Sequence, residues 1–267
     1  MCAASRRAMG LARIALLSSL AAAFPAAAEP APAAPEAQRE WTLIVSPYLW
    51  ATSLNGDASV MGVPARVDLP FSKSLKNLDF AAMGEVEIAS GRFGAYFNGQ
   101  YANLSSDQTI RSIGIGADMK STMLTAGAYY RVHEASLGGD TVFGSPRRFV
   151  VEPTIGVRWT RLRAGLKGAG HAISATESWA DPFVGARIGI DLSDRWQLAM
   201  EGDVGGFGAG SRRSFNGQAY LGYRTKILGY NSIIRAGYRA LYQDYREDDF
   251  RWKVTQRGPV FGVSVAF

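Results

Sequence analysis

Five stretches of this chain each hold two charged residues an even number of positions apart in an otherwise apolar run: Glu85 and Glu87, Glu152 and Arg158, Asp181 and Arg187, Glu201 and Asp203, Arg235 and Arg239. Extended backbone sends alternate side chains to opposite faces, so each pair shares one face and the apolar residues take the other. Residues 183–207, FVGARIGIDLSDRWQLAMEGDVGGF, illustrate it. Val184, Ala186, Ile188 and Ile190 oppose Arg187. After a polar turn, Trp196, Leu198, Met200 and Val204 oppose Glu201 and Asp203.

The same rhythm recurs in WTLIVSPYLW, RFGAYFNGQYA, SFNGQAYLGYR and GPVFGVSVAF. Regular short strands between turn residues predict a sandwich or a barrel. In a sandwich the apolar face meets the core and the charges meet water. In a membrane barrel the apolar face meets lipid and the charges meet the lumen. A lipid-facing Arg or Lys at mid-membrane costs about 2–4 kcal/mol. Three features favour the barrel. The chain opens like an exported protein. Its aromatic residues gather near segment ends, as interfacial girdles do. Its polar face is rich in Gly, Ala and Ser, which suits a narrow lumen, where a solvated face would carry more Lys.

Residues 1–28 read as a signal peptide: Arg6, Arg7 and Arg13, then an apolar run from Ile14 to Phe24, then Ala26-Ala27-Ala28. Cys2 lies upstream of the apolar run and leaves with it, so the mature chain has no disulfide. Three arginines leave too, which halves the formal charge of +6 and removes any argument for nucleic acid. Residues 29–40, EPAPAAPEAQRE, read as a flexible leader. The rest, 41–267, is expected to be one antiparallel transmembrane β-barrel. From Trp41 onward no apolar run reaches the roughly 18 residues of a membrane helix.

Tight turns at Ser90-Gly91-Arg92, Asp191 to Arg195 and Thr225 to Gly229, with a looser one over Glu134 to Arg147, are assigned to the periplasmic side, where barrels keep their short connections. The outer connections are then 55–78, 105–118, 162–178, 207–213 and 243–256. This predicts ten strands. Twelve would follow if ASVMGVPARV (58–67) pairs with the first strand and TIRSIGIGADM splits likewise; eight is the lower alternative. Pro70 to Leu78 suits a short helical turn.

Folded into a barrel, the parity sends Glu85, Glu87, Arg131, Glu152, Arg158, Asp181, Arg187, Glu201, Asp203, Arg224, Arg235 and Arg239 into the lumen. Every base in that set is arginine, whose planar guanidinium holds carboxylates side by side. Glu201 and Asp203 are expected to pair with Arg187 on one side and Arg224 on the other. A small barrel fills its interior with side chains, and buried charges must be paired. The expected role is therefore structural or surface-related. The alternative is a narrow passive pore for small solutes; a second alternative is a lipid- or peptide-modifying enzyme. For an enzyme, His171 with Ser174 or Ser178 and Asp181 is the candidate constellation. His133 falls on the inward parity with Arg131. No catalysis, cofactor or metal is expected. GDVGGFGAGS lacks the Gly-Lys-Ser/Thr of a phosphate loop, and Glu247-Asp248-Asp249 is at most a weak Ca²⁺ ligand set flanked by Arg246 and Arg251. Arg161–Arg163 and Arg212–Arg213 face outward at the rim, where lipopolysaccharide phosphates lie. Outer-membrane lipid and lipopolysaccharide are the expected partners of a monomer.

Phe267, closing an alternating strand, looks like the signal read by the outer-membrane assembly machinery. WADPFVGARIGIDLSDRWQLAMEGDVGGFGAGS, then LGYR, GYRALYQDY and GPVFGVSVAF, is similar to a family of uncharacterised proteobacterial outer-membrane β-barrel proteins. The likeness is best from Trp179 to Phe267 and looser from Trp41 to Tyr101. It implies a barrel in the outer membrane of a Gram-negative bacterium and brings no functional residues.

Overall fold

The computed structural model describes residues 41–110, 113–168 and 171–267; the expected signal peptide and leader lie outside them. In chain order the elements are β1 (Trp41–Trp50), β2 (Ser53–Val60), β3 (Val63–Leu69), α1 (Phe71–Lys76), β4 (Leu78–Ser90), β5 (Phe93–Ile110), β6 (Ile113–Tyr130), β7 (His133–Asp140), β8 (Pro146–Gly168), β9 (His171–Asp191), β10 (Trp196–Gly205), β11 (Arg213–Ile227), β12 (Tyr230–Glu247) and β13 (Phe250–Ala266). Ten of these strands form a closed antiparallel ring, β1-β4-β5-β6-β8-β9-β10-β11-β12-β13. The ladder from Ile44↔Ala266 to Trp50↔Val260 closes it.

The segment 58–67 does not add two strands to the ring. It forms the ends of β2 and β3, and β2 pairs with β13, from Ser53↔Arg257 to Ser59↔Arg251. It thus continues β1 outward on the same neighbour after a break at Ala51 and Thr52. At that break the Ala51 carbonyl leans over Gly258, where a Cβ would lie only 1.8 Å from the oxygen. TIRSIGIGADM does not split either: β5 and β6 pair without a register break out to Ile110↔Ile113.

The looser periplasmic turn is a hairpin instead. β7 pairs with the start of β8, which outruns β6 and would otherwise leave backbone groups without partners. Between β6 and β7 the register slips by one residue, from Tyr129↔Thr154 to His133↔Val151. A one-residue slip moves side chains to the opposite face. His133 is therefore exposed rather than inward, with its ring 5.7 Å from that of Phe149.

The exterior is an apolar belt. Ile155 is 64% exposed and Phe261 56%, with Val86, Val157, Val184 and Ile234 beside them. Aromatic pairs bound the belt: Phe93–Tyr130, Trp196–Tyr223 and Tyr230–Phe267 at the short-turn end, Phe80–Tyr101 and Phe215–Tyr242 at the other. From Phe215 to Tyr223 the strand rises about 27 Å at ~3.4 Å per residue. A tilt of about 40° brings that to roughly 21 Å, close to the ~25 Å apolar band of outer-membrane barrels. No water-soluble protein gains by such a face; the chain is an outer-membrane β-barrel.

Several predicted outer connections are strands beyond the bilayer. Leu162, Trp179, Tyr245, Phe250, Trp252 and Val254 point inward there and bury against Leu54 and Ala58 of β2. That apolar core holds the walls together above the lipid.

Candidate functional site

The barrel interior collects the charges. All twelve predicted lumen residues lie on the inner face, and none is exposed. They sit in tiers.

At the periplasmic end Arg131 Nε donates to Glu152 Oε1 at 2.9 Å. Glu134, just outside the lipid belt, accepts from Arg131 at 3.4 Å and from Arg148 at 3.2 Å. Burial acts to raise its pKa, but the two guanidinium groups outweigh this and hold the carboxyl below the usual glutamate range. Arg224 Nη2 donates to Asp191 and, at 2.7 Å, to Gln197 Oε1. Asp191 also accepts the Arg148 backbone N–H at 2.9 Å, so it ties β8, β9 and β11 together. The sequence reading missed Asp191 because it ends a strand; its parity with Arg187 was the available signal.

In the next tier Arg187 Nη2 donates to Glu87 Oε2 at 2.9 Å, and Tyr129 Oη donates to the other oxygen of Glu87. The Arg187 guanidinium lies over the rings of Tyr129 and Tyr96, 4.7 and 5.6 Å from their centres. Each ring packs on a glycine of the facing strand. A Cβ at Gly94 would meet Tyr129 at 2.1 Å, and one at Gly127 would meet Tyr96 at 2.6 Å.

Above it, Gln218 donates to Glu201 at 2.7 Å and accepts from Tyr220 Oη at 2.6 Å. Tyr48 Oη donates to Asn98, whose amide donates to Glu85 at 3.1 Å. Arg235 lies over Tyr220, 5.4 Å from the ring centre. A cavity of about 120 Å³ opens among Glu85, Glu152, Arg187, Glu201, Arg235 and Arg239.

Higher still, Arg158 Nη2 donates to Asp203 Oδ2 at 2.8 Å, with both side chains all but sealed from solvent. Asn216 donates to the same carboxylate at 2.9 Å and accepts from Arg239 Nε at 2.9 Å. Asp181 has no guanidinium partner among the described residues. It accepts the Ser211 backbone N–H at 2.6 Å, the Ser211 hydroxyl at 2.9 Å and the Gln243 amide at 3.2 Å. Above these groups the lumen turns apolar. Trp50, Met123, Leu241 and Val260 pack together. The outer core follows, with Trp179 stacked on Tyr245 at 4.2 Å.

The pairing differs from the sequence expectation. Glu201 stands opposite Arg187 in register, yet Arg187 reaches Glu87. Asp203 is held by Arg158 of β8, across the glycine Gly185 on the intervening strand. Arg224 lies three tiers below Asp203 and takes Asp191. Five of the twelve, Glu85, Asp181, Glu201, Arg235 and Arg239, are met by amides, hydroxyls, backbone N–H or ring faces instead of opposite charges.

The constellation proposed for an enzyme is divided by the wall. Asp181 is inward and sealed, whereas Ser174 and Ser178 are exposed on the outer face. The side chain of His171 lies outside the described part of the structure. Among the described residues no cluster of three His, Cys, Asp or Glu is placed to hold a metal.

No family model and no curated protein matches the sequence. Among solved structures, the chain is similar to Ail, the attachment invasion locus protein of Yersinia pestis, at 11% identity and a TM-score of 0.38 over 86% of this chain and 99% of that one. It is similar to the outer membrane protease OmpT from Escherichia coli at 8% identity and 0.48, over 86% and 98%. It is similar to Neisserial surface protein A at 12% and 0.32, over 85% and 97%. At such identities a likeness concerns the fold, and no activity passes from these proteins to this chain.

Proposed function

We propose that this protein is a filled outer-membrane barrel with a structural or surface role, assembled as a monomer. One observation carries the reading: Trp50, Met123, Leu241 and Val260 pack together inside the lumen, each at most 5% exposed, and Gln243 beyond Leu241 is sealed as well. An ion crossing that layer would shed most of its hydration with few polar groups to replace it, among them Gln100 beside Met123 and Arg239 over Trp50, at a cost of several kcal/mol. The long outer walls then serve to present the β2–β3, β5–β6, β8–β9 and β12–β13 hairpins above the membrane.

A narrow passive pore is the second reading, favoured by the central cavity and by Arg235, which has a ring rather than a carboxylate as its partner. Single-channel recording of refolded protein in planar bilayers separates the two. The filled barrel predicts no steps. Steps in the unaltered protein that change size in Arg235→Ala would instead establish the pore.

A further inference from the structure

The two outward arginine pairs at the rim look alike in the sequence. The strand register separates them. On one wall Arg213 stands opposite Asp244, Asp244 opposite Lys253, Lys253 opposite Asp57 and Asp57 opposite Arg66. The signs alternate across five strands, so each cation has an anionic neighbour within cross-strand reach.

On the wall of β5, β6, β8 and β9 the arrangement is different. Lys120 stands directly opposite Arg163, and their other neighbours are Asn103 and Thr176. Arg161, the next outward-facing residue towards the membrane, lies between Thr122 and Ser178. All three cations are exposed. None takes part in the ion pairs formed among the described residues. Like charges directly opposite destabilise a sheet. A second such pair, Arg246 and Arg251, has Glu247, Asp248 and Asp249 at the same hairpin tip; near Lys120 and Arg163 the acids are Asp118 and Asp79, and neither forms an ion pair with them among the described residues.

Height decides what meets them. Arg161 shares its row with Thr122 and Tyr101, and Tyr101 is an upper-girdle ring packed against Phe80. The cations therefore begin where hydrocarbon gives way to headgroups. The acids of this face are placed otherwise. Asp118 is one outward position further from the membrane than Lys120, and Asp79 is engaged by Asn103 and Ser105. A groove of about 410 Å³ runs between Lys120, Arg163, Asp118 and Asp79.

We propose that this wall binds the lipid-borne phosphate of an outer-leaflet glycolipid, with the anion bridging Lys120 and Arg163 and Arg161 holding its membrane side. Arginine offers a planar fork to phosphate oxygens and lysine a mobile point charge. The bound anion removes the repulsion that the register imposes. The inference rests on the outer-membrane placement and is independent of whether the lumen conducts.

The test uses refolded protein in phosphatidylcholine vesicles with a chelator, titrated with bis-phosphorylated lipid A, its dephosphorylated form, or inorganic phosphate. The readout is the thermal midpoint of the folded-to-unfolded shift on gels. Only the phosphorylated lipid should raise it. Lys120→Gln/Arg161→Gln/Arg163→Gln should weaken half-saturation about tenfold or more, while Arg213→Gln/Lys253→Gln should not. In phosphatidylcholine vesicles without added lipid A the triple variant should melt no lower than the parent, which shows that it folds. An equal rise with dephosphorylated lipid, an equal rise with inorganic phosphate, or an undiminished response of the triple variant would overturn the proposal. Failure to insert into vesicles would instead refute the membrane placement itself.

Discussion

Arg187 donates to Glu87 at 2.9 Å across the barrel, although Glu201 stands directly opposite it on the neighbouring strand. Two tyrosine rings hold the guanidinium on that course, and Tyr129 fixes the carboxylate that receives it. Glu201 is left to the amide of Gln218.

The two carboxylates should therefore differ in what they contribute. Glu87→Gln leaves a largely buried guanidinium without its anion and is expected to cost about 3 kcal/mol. Glu201→Gln keeps a hydrogen-bonding partner for Gln218 and should cost about 1 kcal/mol or less. Urea unfolding in detergent micelles, followed by tryptophan fluorescence, gives both values. Equal losses would mean that Arg187 is shared.

Arg158 and Asp203 are sealed more completely than any other ion pair described. Arg158→Met alone and Asp203→Leu alone each strand a buried charge, and each should destabilise by about 3–5 kcal/mol. Combining them removes both charges, so the double variant should be more stable than either single one. A double-mutant cycle in the same unfolding assay measures this coupling; simple additivity would show that the pair does not act as a unit.

Asp181 anchors the loop after β10 through both the backbone and the hydroxyl of Ser211. Asp181→Ala should release the adjoining Arg212–Arg213 while the barrel stays closed. Trypsin added to intact cells should then cut there at least several times faster than in the parent protein. An unchanged cleavage rate would show that the loop is held by other contacts.

Glu134 has a lowered pKa in the folded protein because Arg148 and Arg131 outweigh the effect of burial. Its contribution to stability is thus present above the unfolded value of about 4.3. It is lost as the pH falls through the lower folded value. Stability should decline on acidification below about pH 4.3, and Glu134→Gln should make that decline shallower with little effect at neutral pH. Unfolding midpoints measured between neutral and strongly acidic pH test the sign; a steeper decline in the variant would refute it.

Much of the fold was legible in the residues. Glu85 and Glu87, or Arg235 and Arg239, disclose their common face from spacing alone, and the apolar residues between them disclose the belt. The slip at Arg131 and Val132 was not legible, because nothing in YYRVHEAS marks where an extra residue enters a ladder. His133 was misplaced for that reason. The strands above the membrane were read as connections because Leu162, Trp179 and Trp252 lie outside the belt's rhythm of lipid-facing residues. They reveal themselves only as one core once five strands bring them together.

The sequence by itself determined the sidedness of the membrane-spanning strands of the ring, since a period of two is a property of each extended segment and needs no neighbour. Only the tertiary structure decided which charges meet, where the polar interior ends, and which rim arginines lack an anion. Those outcomes depend on the register between strands far apart in the chain, and on how far long side chains reach across an enclosed space. No single segment holds that information.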